Sequence, residues 1–350
     1  LASQEWTDID RLGTSTLSQV ARTQGRTIRE TVGAALLFFQ ARQTPAGSIV
    51  DDRDILIFQE WDSVNALKAI SLWKDTVGVV ERRTLDQVLD FLRGRQKPSG
   101  MLSWGVLDTA PDEYCTETSS EYVAALTLLG LDDEALPKAL FLREQQLPNG
   151  AWAEVHSHIP KAFQTESSVT GFALLALLGL DLDPKDLDGA LEFLDQARRP
   201  EGHFGLNWYY YSTYYYLIRP AVAALAQLGH HSAVAHACEF VLSQQRADGS
   251  WYTEVDGFGE YSSPEQHTAL ALETLAYAGM DAGHLAVRRG LLWLLARQRP
   301  DGSWDGGSYP YPDTGTYRSF RATQHIFTTA QVLAVLHRLA ALEGLLDTHI

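Results

Sequence analysis

Four polar or aromatic residues, Glu117, Glu166, Tyr216 and Gln266, follow one another at intervals of 49, 50 and 50 residues. Two of them are acids. Carboxyls brought into one apolar pocket cannot all ionise, so one keeps its proton near neutral pH. A proton held that way is available to a weakly basic substrate. Glu117 and Glu166 are therefore the leading candidates for a general acid, with Glu121 and Asp62 in reserve. The competing reading makes each of them an ionised helix cap, which the field at a helix N-terminus favours. His267 and His325 are candidate bases or hydrogen-bonding groups beside them.

A second cluster is aromatic. From Trp208 to Tyr216, seven of nine residues are Trp or Tyr. Aromatic faces stabilise a cationic centre by about 0.5 to 2 kcal/mol each and also shape an apolar wall. Trp208, Tyr211, Tyr214, Tyr215 and Tyr216 are read as pocket lining in part, against the alternative of a packed joint with bonded hydroxyls. Trp61, Gln266 and Gln324 complete the expected substrate contacts. Arg219, Arg318 and Arg321 would suit a diphosphate, which wants two or three cations, or else pair with the abundant acids.

Metal chemistry fits poorly. Asp112-Glu-Tyr-Cys115 has the wrong spacing for an Asp-x-Cys zinc set, His267 lies three repeats from Cys115, and His156-Ser-His158 is a bare pair in a loop. No cofactor is expected, with Mg2+ entering only if the substrate carries a diphosphate.

The elements that must position these residues come from an internal repeat. Six helix-like stretches run into short turns whose glycines, Gly47, Gly100, Gly150, Gly202, Gly249 and Gly302, are 53, 50, 52, 47 and 53 residues apart. Each unit reads as two helices. The first is amphipathic, as in Leu85 to Arg95; the second is apolar nearly all round, as in Val169 to Gly179, and must be enclosed on every side. Gly130, Gly179, Gly229 and Gly279 are placed to end inner helices. Six outer and six inner helices predict an all-α fold, a closed α6–α6 barrel or α/α toroid. Residues 1–28 are expected to form an N-terminal arm or cap, and 29–350 a single toroid domain. The inner helices should start at one mouth of the ring, where the acids and aromatics above would meet.

With 350 residues, 45% of them hydrophobic and 21% charged, the chain has the composition of a globular protein. Its net charge of −16, with no dense run among 28 cations, speaks against nucleic acid as a partner. No apolar run reaches the roughly 20 residues of a bilayer span. Two cysteines and no basic-then-apolar opening segment point to a reducing, cytoplasmic setting. Oligomeric state is left open.

Three turns continue into Trp: Gln146-Leu-Pro-Asn-Gly150-Ala-Trp152, Gln245-Arg-Ala-Asp-Gly249-Ser-Trp251 and Gln298-Arg-Pro-Asp-Gly302-Ser-Trp304. These resemble the QW repeats of the terpenoid cyclase and protein prenyltransferase superfamily. The stretch from Asn207 to Tyr216 is similar to a Trp- and Tyr-rich segment of bacterial class II diterpene cyclases. In that family an Asp-x-Asp-Asp motif supplies the proton; here its place reads Thr116-Glu117-Thr118-Ser119-Ser120. The resemblance implies a hydrophobic substrate, cyclised or isomerised by proton transfer in the central cavity, with an acid other than the family's Asp. Two alternatives stand beside it: prenyl transfer or lyase chemistry on the same ring, and a non-catalytic prenyl-binding toroid.

Overall fold

A computed structural model describes residues 16–344 except 24, 26, 54–57, 106–109, 156–165, 207–212, 255–261 and 312–319. Among the described residues, helices alternate between an outer and an inner layer. The outer layer is α2 (Ile28–Arg42), α4 (Arg82–Arg95), α6 (Asp132–Glu144), α8 (Leu187–Ala197), α10 (His231–Ser243) and α12 (Leu285–Leu295). The inner layer is α3 (Gln59–Trp73), α5 (Thr116–Leu128), α7 (Glu166–Leu178), α9 (Tyr215–Gln227), α11 (Pro264–Tyr277) and α13 (His325–Leu342). A short α1 (Thr16–Thr23) precedes them. An antiparallel pair, β1 (Ser308–Tyr311) with β2 (Phe320–Thr323), lies between α12 and α13.

The two layers differ as their sequences require. Outer α4 buries only Thr84, Val88, Leu89 and Leu92, one stripe of its surface, whereas inner α3 buries thirteen of its fifteen residues. Each inner helix packs on the next, and α13 packs back on α3, so the ring is closed. The chain is thus an α6–α6 toroid. Helix α13 is long and apolar enough to cross a membrane, but two thirds of it is buried inside the ring, which is the composition an enclosed inner helix needs.

The turns lock successive units together. Gln146 Nε2 donates to Gly150 O within its turn (2.9 Å) and to Asp186 O at the start of the next outer helix (2.7 Å). Gln43, Gln245 and Gln298 repeat both bonds, the last reaching Thr31 O at 2.9 Å across the seam between the sixth unit and the first. The Trp152, Trp251 and Trp304 indoles are buried and donate to the end of the preceding outer helix, at Leu142 O, Val241 O and Leu294 O. At the same seam α1 packs on α12, and Leu17 N donates to the Glu343 carboxylate at the C-terminal end of α13.

Candidate functional site

One recurring hydrogen bond sets the height of each inner helix. The backbone N–H two residues past the turn glycine donates to a hydroxyl on the inner helix: Ile49 to Ser63, Leu102 to Ser119, Trp152 to Thr170, Trp251 to Thr268 and Trp304 to Thr329, all at 3.0 to 3.1 Å. The residue two places before each hydroxyl therefore occupies one level of the ring. Those residues are Trp61, Glu117, Ser168, Gln266 and Phe327. Tyr216 joins them, because it stands thirteen residues before Gly229 as Glu117 does before Gly130 and Gln266 before Gly279.

This register corrects two expected alignments. Glu166 opens α7 two residues before that level, since only nine residues separate Thr170 from Gly179, against eleven between Ser119 and Gly130. Counting back from the terminal glycine therefore overshoots by two. Gln324 is the residue before α13, and Phe327 takes the place expected for it.

The aromatic side chains at this level converge. Trp61 stacks on Phe327 with centroids 5.5 Å apart, Phe327 meets Tyr216 at 6.1 Å, and Tyr216 meets Phe172 of α7 at 6.4 Å. Gln266 Nε2 reaches Thr328 Oγ1 at 3.3 Å. Glu117 stands at the same level, half-buried, with Oε1 buried and without a hydrogen-bond partner. Burial pushes its carboxyl well above the usual carboxylate range; the charge of Glu154 adds to this, Arg219 opposes it, and Glu121 adds again.

Glu154 is a site residue that helix periodicity does not reveal. It sits four residues past Gly150, and its carboxylate accepts from Thr116 N (2.7 Å) and Glu117 N (3.0 Å) at the start of α5. Cys115 Sγ also donates to it at 3.5 Å. Burial raises its pKa to about 7, held down from higher by the two backbone donors. Asp51, four residues past Gly47, does the same for α13 by accepting from Ile326 N at 2.9 Å. That shared offset from the turn glycine is the sequence signal for both.

One to two turns deeper lies a charged layer. Lys68 of α3 donates to Glu121 Oε2, while Arg219 of α9 bridges Glu121 Oε1 (3.5 Å) and Glu273 Oε1 (3.4 Å). Arg219, Glu121 and Glu273 are all nearly inaccessible, and the Arg219 guanidinium lies 4.9 Å over the Phe172 ring. Burial would raise the Glu121 pKa, but Lys68 and Arg219 outweigh it and hold the group below the usual range. Glu121 is therefore the shared counter-ion of Lys68 and Arg219. Arg219, expected as a diphosphate cation, is already committed to two carboxylates. Helix periodicity and repeat spacing do not point to Lys68, Glu273, Phe172 or Phe327.

The remaining candidates are elsewhere. Asp62 shares a helix face with Trp73, whose indole donates to Leu333 O of α13; it faces that joint, where Asp51 N donates to Asp62 Oδ2 at 3.3 Å. Burial and then the Asp51 charge raise its pKa, so Asp62 and Asp51 form a second buried acid pair at that joint. His267 Nδ1 accepts from Thr253 N and Nε2 donates to Ser262 Oγ, so neither nitrogen is left for catalysis. His325 is likewise engaged, by Gly306 N and Arg299 Nη1. Tyr214 packs against His203 and Phe240 of the outer layer, and Tyr215 against His267. Trp208, Tyr211 and Arg318 lie outside the described residues, as do the side chains of Glu166 and Arg321. No group of three or more His, Cys, Asp or Glu with metal-binding geometry occurs among the described residues.

Comparison with known proteins bears on this geometry. The model of the squalene-hopene cyclase C-terminal domain matches residues 165–341, just over half of the chain; Glu117 and Glu154 precede the matched stretch. The squalene-hopene cyclase of Alicyclobacillus acidocaldarius is 30% identical over 244 residues, covering 59% of this chain and 38% of that protein. The lanosterol synthase of Candida albicans is 28% identical over 183 residues, covering 48% and 25% respectively. The matched stretches thus span well under two thirds of either relative. A variant of the type II terpene cyclase MstE from Scytonema, solved with its substrate geranylgeranyl dihydroxybenzoate, shares the fold: the TM-score is 0.69 at 20% identity, over 93% of this chain and 99% of that one. The closed ring and the family match agree, and the chain belongs to the squalene-hopene cyclase C-terminal domain family, within the class II terpenoid cyclase superfamily.

Proposed function

We infer that this protein cyclises or isomerises a prenyl or polyene substrate by proton transfer, with Glu117 as the acid in the place where relatives carry Asp. The observation that carries the reading is Glu117 itself: a carboxyl on the same level of the ring as Trp61, Tyr216 and Phe327, with one oxygen buried and unbonded. Burial without a hydrogen bond favours the neutral form of this carboxyl, and the aromatic groups on its level suit a developing cation. In the reaction the Glu117 O–H bond breaks as a C–H bond forms at the less substituted alkene carbon. The tertiary cation left behind is attacked by the next double bond, and a proton is finally lost to water or a nearby base. The ring around Glu117 keeps water from the cation meanwhile.

The charge balance favours a substrate without diphosphate at this level. Lys68 and Arg219 are already neutralised by Glu121 and Glu273, and a diphosphate needs uncommitted cations. The test is product analysis by mass spectrometry after incubation with squalene, geranylgeraniol and geranylgeranyl diphosphate. Isomeric, cyclised products from an unphosphorylated polyene, lost in Glu117→Gln, are expected. Release of diphosphate, or full activity in Glu117→Gln, would overturn the assignment.

A further inference from the structure

We propose that Glu154 is a positioning residue: delivered by the turn of the third unit, it is the fixed anionic half of a carboxyl pair whose proton sits on Glu117, a residue of the second unit. The two acids receive opposite treatment from their surroundings. Glu154 accepts three hydrogen bonds, from Thr116 N, Glu117 N and Cys115 Sγ, and each favours the charged form. Glu117 Oε1 is buried with no donor, which favours the neutral form. Two neighbouring carboxyls in a poorly solvated site cannot both ionise, so the uneven hydrogen bonding decides which one keeps the proton.

Glu154 is also held rigidly. Trp152, two residues earlier, is fixed through Thr170 Oγ1 and Leu142 O. Ala153 O accepts from Thr116 Oγ1 at 2.8 Å, and Val155 O accepts from Tyr114 N at 2.8 Å. The backbone on both sides of Glu154 is therefore tied to the segment that leads into Glu117. The other groups bearing on the pair are Tyr114 and Cys115 beside Glu154, and Arg219 and Glu121 beside Glu117. The Arg219 cation is itself offset by Glu121 and Glu273. A carboxylate placed across a unit joint thus does work that a motif of adjacent acids would otherwise do within one segment.

This inference deepens the cyclase reading and rests on it for its consequence, but its test needs no substrate. The carboxylic C=O stretch of protein labelled with 13C-glutamate is followed by infrared spectroscopy from about pH 8 to about pH 10, above the value of about 7 at which Glu154 itself titrates. Wild type is expected to show a protonated-glutamate band that Glu117→Gln lacks. In Glu154→Gln that band should disappear at least one pH unit lower, a tenfold loss of proton affinity, while Glu154→Asp, which keeps the charge, retains it. Turnover should follow, with its alkaline limb moved acidward in Glu154→Gln and restored in Glu154→Asp. A band that persists in Glu117→Gln places the proton elsewhere and overturns the proposal, even if Glu154→Gln does not fold. A band unmoved in a folded Glu154→Gln overturns it too. Correct bands without any cyclised product would instead leave the pair standing and sink the cyclase reading.

Discussion

Replacing Glu117 with Met should make the protein more stable. The side chain presents a buried oxygen without a hydrogen bond, and leaving such a group unsatisfied costs about 1 to 3 kcal/mol. Met fills a similar space without that polar group. Little is lost in exchange, because a neutral carboxyl gains nothing from the helix field, worth roughly 0.3 to 1 kcal/mol to a charged one. The α5 N–H groups at Thr116 and Glu117 are already bound by Glu154. The net gain is about 1 to 2 kcal/mol. It should also depend on pH. The folded pKa of Glu117 lies above its ordinary 4.5, so the native state keeps a proton that the unfolded chain sheds. That contribution is complete below the unfolded pKa and is lost as pH rises toward the folded one, at up to about 1.4 kcal/mol per pH unit. Equilibrium urea unfolding of wild type and Glu117→Met at several pH values reads both effects. Stabilisation that grows with pH is expected. A loss of more than about 1 kcal/mol near neutral pH that fades below about pH 4 would mean that Glu117 caps α5 as an ion, and the acid assignment would fall.

Glu121→Leu should cost about 3 to 5 kcal/mol in the same unfolding assay, because it leaves Lys68 and Arg219 without their shared carboxylate; a neutral result would mean the charged layer is not a unit. Gly302→Ala should cost more than Gly130→Ala. Both glycines have positive φ, which costs Ala roughly 1 to 2 kcal/mol, but a Cβ on Gly302 would stand 2.2 Å from Ala34 O at the seam, whereas one on Gly130 meets nothing within 4 Å. Equal midpoints for the two variants would contradict the closed seam. Trp61→Ala and Phe327→Ala each remove a face from the aromatic ring and should slow cyclisation by about 2- to 30-fold, the rate equivalent of 0.5 to 2 kcal/mol; rates equal to wild type would remove these residues from the site.

The ring is readable in the sequence because its determinants are local and repeated. A turn glycine about every 50 residues and the change from one apolar stripe to an all-round apolar helix specify two layers and six units. The site was only partly readable, for physical reasons that differ between residues. Glu117 and Tyr216 could be placed because they lie a fixed distance before a helix-ending glycine. Glu166 was misplaced because α7 ends two residues early, and only the Trp152–Thr170 hydrogen bond shows where its level begins. Tyr214 and Tyr215 read as pocket residues, yet one helical step turns each toward a neighbouring repeat. Lys68 and Glu273 looked like ordinary polar helix positions, because their pairing with Glu121 and Arg219 runs across the ring between distant units. Glu154 lies on an extended stretch with no periodicity, so its reach to α5 is a property of the joint and not of its own segment.

Deuterium incorporation tests the central claim most directly. If Glu117 protonates an alkene, the proton comes from a group that exchanges with solvent, so cyclisation of an unphosphorylated polyene in heavy water should place one deuterium in each product molecule. The same incubation with Glu117→Gln should give no labelled product, while its helical circular dichroism stays that of wild type. Product formed without deuterium, or labelled product made equally well by Glu117→Gln, would contradict the account.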